Sequence, residues 1–165
     1  RPNPEQSGAE FLEGLYGALQ TAGNAYVEAA GDGEDGLPEE LWSLRPDRVK
    51  VVPGRHGWPE AYDYGLAGRS VRIGREADGW MPVMHLKLFH PTDDHYGFSP
   101  LEAAAFAIEK LVYVVVWGLW MSNHSLGAVY EQDLFAGVFY SIYGLNDLVF
   151  MLFFGCVFLS QRSKG

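Results

Sequence analysis

The chain has 165 residues, room for one domain of ordinary size or a small domain with an appended segment, which argues against a two-domain enzyme. Hydrophobic residues make up 48% and charged residues 20%, so wholesale disorder is excluded. The net charge of -9 repels phosphate and disfavours tight non-specific DNA binding through counterion release.

Cys156 is the single cysteine, so neither an intrachain disulfide nor a Cys-rich zinc site can form. The chain opens Arg1-Pro2-Asn3-Pro4 with no charged-then-apolar leader, as expected of a sequence that begins inside a longer protein. Ser7 and Glu10 have capping-box spacing, which predicts a helix start. Phe11, Leu12, Leu15, Tyr16 and Leu19 then form one apolar stripe, read as core, that ends at Gly23-Asn24.

Short extended segments are predicted at Ala25 to Ala29, Leu41 to Leu44, Arg48 to Val52, Ala61 to Tyr64, Arg69 to Ile73 and Pro82 to Phe89. Turn chemistry separates them: Gly31 to Gly36, Arg45-Pro46-Asp47, Pro53-Gly54, Ala67-Gly68 and Ala77-Asp78-Gly79. Such close spacing favours antiparallel pairing. Within Met84-His85-Leu86-Lys87-Leu88 the alternation places His85 and Lys87 on a water-facing side. After a loop from His90 to Phe98, Ser99-Pro100-Leu101-Glu102 combines an N-cap serine, a first-position proline and a third-position glutamate. That is the strongest helix start in the chain.

Chemistry-bearing residues concentrate in His90-Pro91-Thr92-Asp93-Asp94-His95. Carboxylates and imidazoles could serve as metal ligands or as acid and base, and a metal-dependent hydrolase using Asp93, Asp94 and His95 is one reading. The spacing matches no ligand motif, so the favoured reading is a polar loop held by Asx bonding. His56 and His124 stand alone and are read as solvated or packed. The glycine run from Gly31 to Gly36 lacks the Lys-Ser/Thr ending of a phosphate loop. Arg45, Arg48, Lys50 and Arg55 form a basic strip suited to ion pairing, with nucleic-acid contact as the second reading. No residue is assigned a catalytic, cofactor-binding or metal role.

The order of motifs carries more information than any one of them. Arg1-Pro2-Asn3-Pro4 precedes a helix, followed by Leu44-Arg45-Pro46-Asp47-Arg48-Val49, Val52-Pro53-Gly54 and Tyr62-Asp63-Tyr64. Then come His85-Leu86-Lys87-Leu88-Phe89-His90-Pro91 and Asp93-Asp94-His95-Tyr96-Gly97-Phe98-Ser99-Pro100-Leu101-Glu102-Ala103-Ala104. Over residues 1 to 109 this series resembles the portal proteins of tailed phages, above all those of prophages and gene transfer agents. The resemblance implies part of an α/β wing region, with Gly97 to Leu101 launching the wing helix. It also implies a non-enzymatic ring of subunits at a capsid vertex, working with terminase, capsid and head-completion proteins. DNA would pass through the channel without sequence-specific binding, and the location would be the virion or host cytoplasm.

A compositional break falls near Lys110. Residues 1 to 110 hold ten of the twelve Lys/Arg and eighteen of the twenty-one Asp/Glu, whereas residues 111 to 165 hold 34 apolar residues with two basic and three acidic ones. Residues 111 to 130 and 134 to 159 are each long enough to cross a bilayer as helices, with Glu131-Gln132-Asp133 as the turn. Lys110 and Arg162/Lys164 would then share one side. Three readings stay open: a membrane hairpin, a segment from a different gene, and an ordinary buried core. The expected fold is therefore α+β, with short antiparallel strands and flanking helices over 1–109 and an apolar, helical segment over 110–165. The alternative function is a small membrane protein carrying a borrowed portal-like soluble domain.

Overall fold

The computed structural model describes residues 1–33 and 36–162. Glu34 and Asp35 of the predicted glycine-rich turn, and Lys164, lie outside the described residues. The chain forms two compact units, Arg1–Ser99 and Pro100–Gly165.

The first unit opens with helix α1 (Gly8–Ala22), started by the predicted capping box. The Glu10 N–H donates to Ser7 Oγ at 3.3 Å, and the Ser7 N–H donates to the Glu10 carboxylate at 2.7 Å, so two orphan amides are satisfied reciprocally. Gly23 ends the helix in the left-handed region at φ 69°, its N–H donating to the Leu19 carbonyl. Among the described residues six strands follow: β1 (Asn24–Ala30), β2 (Glu40–Leu44), β3 (Val49–Pro53), β4 (Pro59–Leu66), β5 (Arg69–Gly74) and β6 (Val83–Lys87). They make two three-stranded sheets, ordered β2-β1-β6 and β3-β4-β5. All pairings are antiparallel, as the spacing predicts.

The central strand β1 is covered on both faces, and this explains its apolar run. Ala25 and Val27 pack with Phe11 and Leu15 of α1, joined by Leu41 and Leu86. Tyr26 points the other way and packs with Val49, Val51 and Tyr62 of the second sheet and with Leu44 and Val83. Alternation along a strand sends neighbouring side chains to opposite faces, so both faces of the β2-β1-β6 sheet are packed. Of the two residues predicted to face water on β6, Lys87 is exposed and the placement of His85 is corrected. Leu86 faces α1, but His85 lies against Tyr26, ring centroids 4.2 Å apart, and meets Tyr62 edge-on at 5.8 Å.

The second unit is helical: α2 (Pro100–Asn123), α3 (Leu126–Gln132) and α4 (Leu134–Arg162). The helix predicted to run unbroken to residue 130 stops at Asn123. Asn123 Nδ2 and Ser122 Oγ both donate to the Leu119 carbonyl, the local competition with helix bonding that such side chains offer. Ser125 then caps α3, and Asp133 Oδ1 accepts from the N–H groups of Phe135 and Ala136 to start α4. The compositional break at Lys110 falls inside α2, with no interruption of the helix.

Helices α2 and α4 pack as an aromatic-lined pair. Trp117 Nε1 donates to the Tyr140 carbonyl at 2.7 Å, and Trp120 stacks on Tyr140 at 4.4 Å. Gly144 is required beneath Trp117, because a Cβ there would overlap the indole ring. The reading of this segment as an ordinary buried core fails: the most apolar stretch of α2 is wholly unburied and that of α4 is only 17% buried.

Candidate functional site

The His90–Ser99 loop is built largely by its own side chains. Asp93 Oδ1 accepts from the N–H groups of His95 at 2.7 Å and Tyr96 at 3.0 Å. These two donors hold its carboxyl below the usual range. His90 Nδ1 accepts from the N–H groups of Thr92 and Asp93, and its ring meets Phe98 edge-on at 5.3 Å. With its lone pair used this way, His90 is a loop scaffold. The Asp93 acceptor pattern is the Asx bonding that the sequence favours for this segment. Among the described residues, no group of three His, Cys, Asp or Glu side chains is arranged to hold a metal ion.

The loop is tied to both sheets. Tyr96 Oη accepts from the Val51 N–H at 2.9 Å, reaching β3. At the other sheet Asn24, only 6% exposed, acts as a clamp. Its Oδ1 accepts the Gly97 N–H at 2.7 Å, while its Nδ2 donates to the carbonyls of Ala22 at 2.7 Å and Gly97 at 3.3 Å. Because Oδ1 is an acceptor, the 3.0 Å contact with His85 Nε2 places the ring proton on Nε2. Burial, with the nearby Lys87 charge second, pushes the His85 imidazole down to about 4, so it is neutral at pH 7. Gly23 and Gly97 make the close approach possible: a Cβ on Gly23 would come within 2.6 Å of Gly97 and Phe98 backbone atoms, and one on Gly97 would overlap the Gly23 carbonyl.

Beside this clamp lies an open cleft of about 530 Å³, lined by His56, Trp58, Tyr62, Arg75, His85 and Lys87 together with Asp94. Trp58 is 77% exposed at the β3–β4 turn, and the Lys87 ammonium donates to the Asp94 carbonyl. The sequence reading therefore found Asp94 and His56 but gave neither its setting. It missed Trp58, at the β3–β4 turn, and Arg75, just after β5, which no motif marks and which the β3-β4-β5 sheet brings to one cleft. Aromatic rings beside cations suit recognition of another molecule.

The predicted basic strip is divided by ion pairing. Arg45 makes a two-bond contact with Asp47, at 3.0 and 2.9 Å. Lys50 lies across from Asp63 in the sheet register, and Arg72 lies on Asp63's other side, bonded to it at 2.7 and 2.9 Å. The result is a row of alternating charge on an exposed sheet face, which cannot act as one continuous cationic surface.

This geometry, a two-sheet unit whose Gly97-Phe98-Ser99 segment leads into α2, has a counterpart among known proteins. The family model for phage portal protein matches residues 1–123. The chain belongs to the phage portal protein family. The matched segment continues past residue 109 to Asn123, the end of α2. Solved structures agree: a chain in the neck of an empty GTA particle, computed with C6 symmetry, shares 44% identity over 76% of this chain and 33% of its own length, with a TM-score of 0.59. A chain of the neck of a native GTA particle, computed with C12 symmetry, shares 43% identity with a TM-score of 0.60, covering 76% of this chain and 34% of that one. Uncharacterised proteins of Rickettsia bellii (strain RML369-C) and Rickettsia felis (strain ATCC VR-1525 / URRWXCal2) are each 34% identical over 128 residues, 76% of this chain and 31% of theirs. This portal-family chain thus spans about a third of the length of the relatives it matches.

Proposed function

We propose that the chain is a structural piece of a portal: part of a head-to-tail connector ring through which DNA is packaged into a capsid. The carrying observation is 44% identity, with a shared fold, to a neck chain of a gene transfer agent particle over three quarters of this sequence. Its partners in this reading are other portal subunits in a homo-oligomeric ring, with terminase, capsid and head-completion proteins around it. Its location is the virion, or the host cytoplasm before assembly. DNA passes through without sequence-specific contacts, and the acidic balance of the chain suits a conduit along which DNA slides without sticking.

The same reading assigns no catalysis and no cofactor. The Asp93, Asp94 and His95 segment serves the fold: Asp93 holds two backbone amides, and Asp94 offers its carbonyl to Lys87. The domain division is proposed as a portal wing-like fragment over 1–109 and an apolar segment over 110–165. A chimaera tests the function. Residues 1–123 would replace the matching segment of a gene transfer agent neck chain, and particles would be examined by electron microscopy and for packaged DNA. Rings and filled particles are expected. A chimaera that folds by circular dichroism yet forms no rings would refute the proposal.

A further inference from the structure

The outer surfaces of α2 and α4 pose a physical problem that the portal reading leaves unanswered. Leu111, Val112 and Val116 on α2, and Ile142, Phe150 and Leu152 on α4, are all exposed. They occupy the outward half of each helix rather than one narrow stripe. A single protein partner covers one face of such a pair, whereas a solvent of hydrocarbon covers all of it. We propose that the hairpin formed by Pro100–Asn123 and Leu134–Ser160 sits in a lipid bilayer. Helix α2 falls within the segment that the portal family model matches, so insertion of this hairpin and assembly of residues 100–123 into a portal ring are alternatives for the same helix.

Three observations choose lipid over a second copy of the chain. The first is length. At about 1.5 Å per residue, the 24-residue α2 is about 36 Å long and the 29-residue α4 about 43 Å; a hydrocarbon core needs about 30 Å.

The second is the treatment of polar side chains, several of which are satisfied inside the helices. Ser141 Oγ donates to the Gly137 carbonyl and also meets the Tyr130 hydroxyl at 2.8 Å. Ser160 Oγ donates to the Val157 carbonyl, and Trp117 to the Tyr140 carbonyl. This is what a medium without water demands.

The third is the placement of charge. Asp147 is 2% exposed and meets Lys110 Nζ at 3.3 Å, while Glu109 approaches the same ammonium at 3.7 Å. Lys110 and Asp147 pair inward, as charges within a span do; Glu102 and Glu109 in the first half of α2, and Asn123 and Asn146, are exposed. The pairing also corrects the sequence reading that set Lys110 level with Arg162. Fifteen residues of continuous helix separate Asp147 from Arg162, about 22 Å at 1.5 Å per residue. Lys110 therefore lies at the middle of α4, not at its end.

The test uses the full chain made by cell-free synthesis with phosphatidylcholine vesicles. The chain is expected to float with the vesicles in a density gradient and to resist extraction by alkaline carbonate. The native Cys156, free and exposed on α4, serves as a probe: a water-soluble maleimide is expected to label it at least tenfold more slowly in vesicles than after dissolution in SDS. Val115→Arg combined with Leu145→Arg, placing charge on both outward faces, is expected to abolish flotation, while Val115→Leu with Leu145→Ile keeps it. Recovery of the unmodified chain as a discrete detergent-free oligomer or monomer would overturn the proposal, the oligomer favouring a second copy as the occupant. So would full release by carbonate, or equal Cys156 labelling in vesicles and in SDS.

Discussion

Replacing Asn24 with alanine should be the most damaging single truncation of a polar residue in the first unit. The side chain is buried and makes four contacts: it accepts from Gly97 N–H and His85 Nε2 and donates to the carbonyls of Ala22 and Gly97. Alanine leaves the Gly97 amide and the His85 ring proton without an acceptor in a site too tight for ready repair, since Gly23 and Gly97 are already in backbone contact. Each buried donor left unmade costs about 1 to 3 kcal/mol. With partial relaxation, the expected loss is about 2 to 4 kcal/mol, a shift in Tm of roughly 10 to 25 °C for a unit of this size. Urea denaturation of residues 1–109, followed by tryptophan fluorescence, measures it. Asn24→Asp separates the two roles: it keeps the acceptor, loses both donations, and favours a protonated His85, so its deficit should narrow as pH falls. An Asn24→Ala variant within about 0.5 kcal/mol of the parent would refute the clamp.

Four further outcomes are expected. His85 is neutral in the fold with its pKa lowered to about 4, so between the unfolded histidine value of about 6.5 and 4 the unfolded state binds the extra proton. Stability should therefore fall as pH drops through that window, by about 1 to 2 kcal/mol after allowance for solvent screening, and His85→Gln should flatten the dependence in denaturation curves. Ser99→Ala removes a buried hydroxyl that donates to the Gln20 carbonyl at 2.9 Å, and chemical denaturation should show a loss of about 1 to 2 kcal/mol. Residues 1–109 alone should be soluble yet form no closed ring by light scattering, because the chain spans only a third of its structural relatives. A nuclease, phosphatase and peptidase screen with added divalent metals should find no turnover; activity abolished by Asp94→Ala with folding intact would contradict the structural assignment.

Much of the fold was legible because its signals are local. The Ser7/Glu10 box, the Gly23 stop and the turn residues between strands act over three to six positions, where backbone sterics and capping bonds operate without help from distant parts of the chain. The helix start at Ser99-Pro100 is of the same kind. The ordered series of motifs likewise carries the resemblance to the portal family in the sequence itself.

Tertiary structure decided whatever depends on which faces meet. Alternation in β6 predicts a wet face for His85 and Lys87; Lys87 is exposed, but packing of the β2-β1-β6 sheet against the second sheet makes His85 a neutral ring between two tyrosines. Trp58 and Arg75 join a cleft with His85 only because β3, β4 and β5 pair as they do. The cation Lys110 looked like the flank of an apolar run until the α2–α4 register set it against Asp147. In each case one strand or helix specifies its own periodicity, while burial is a property of two surfaces, and the second surface lies dozens of residues away in sequence.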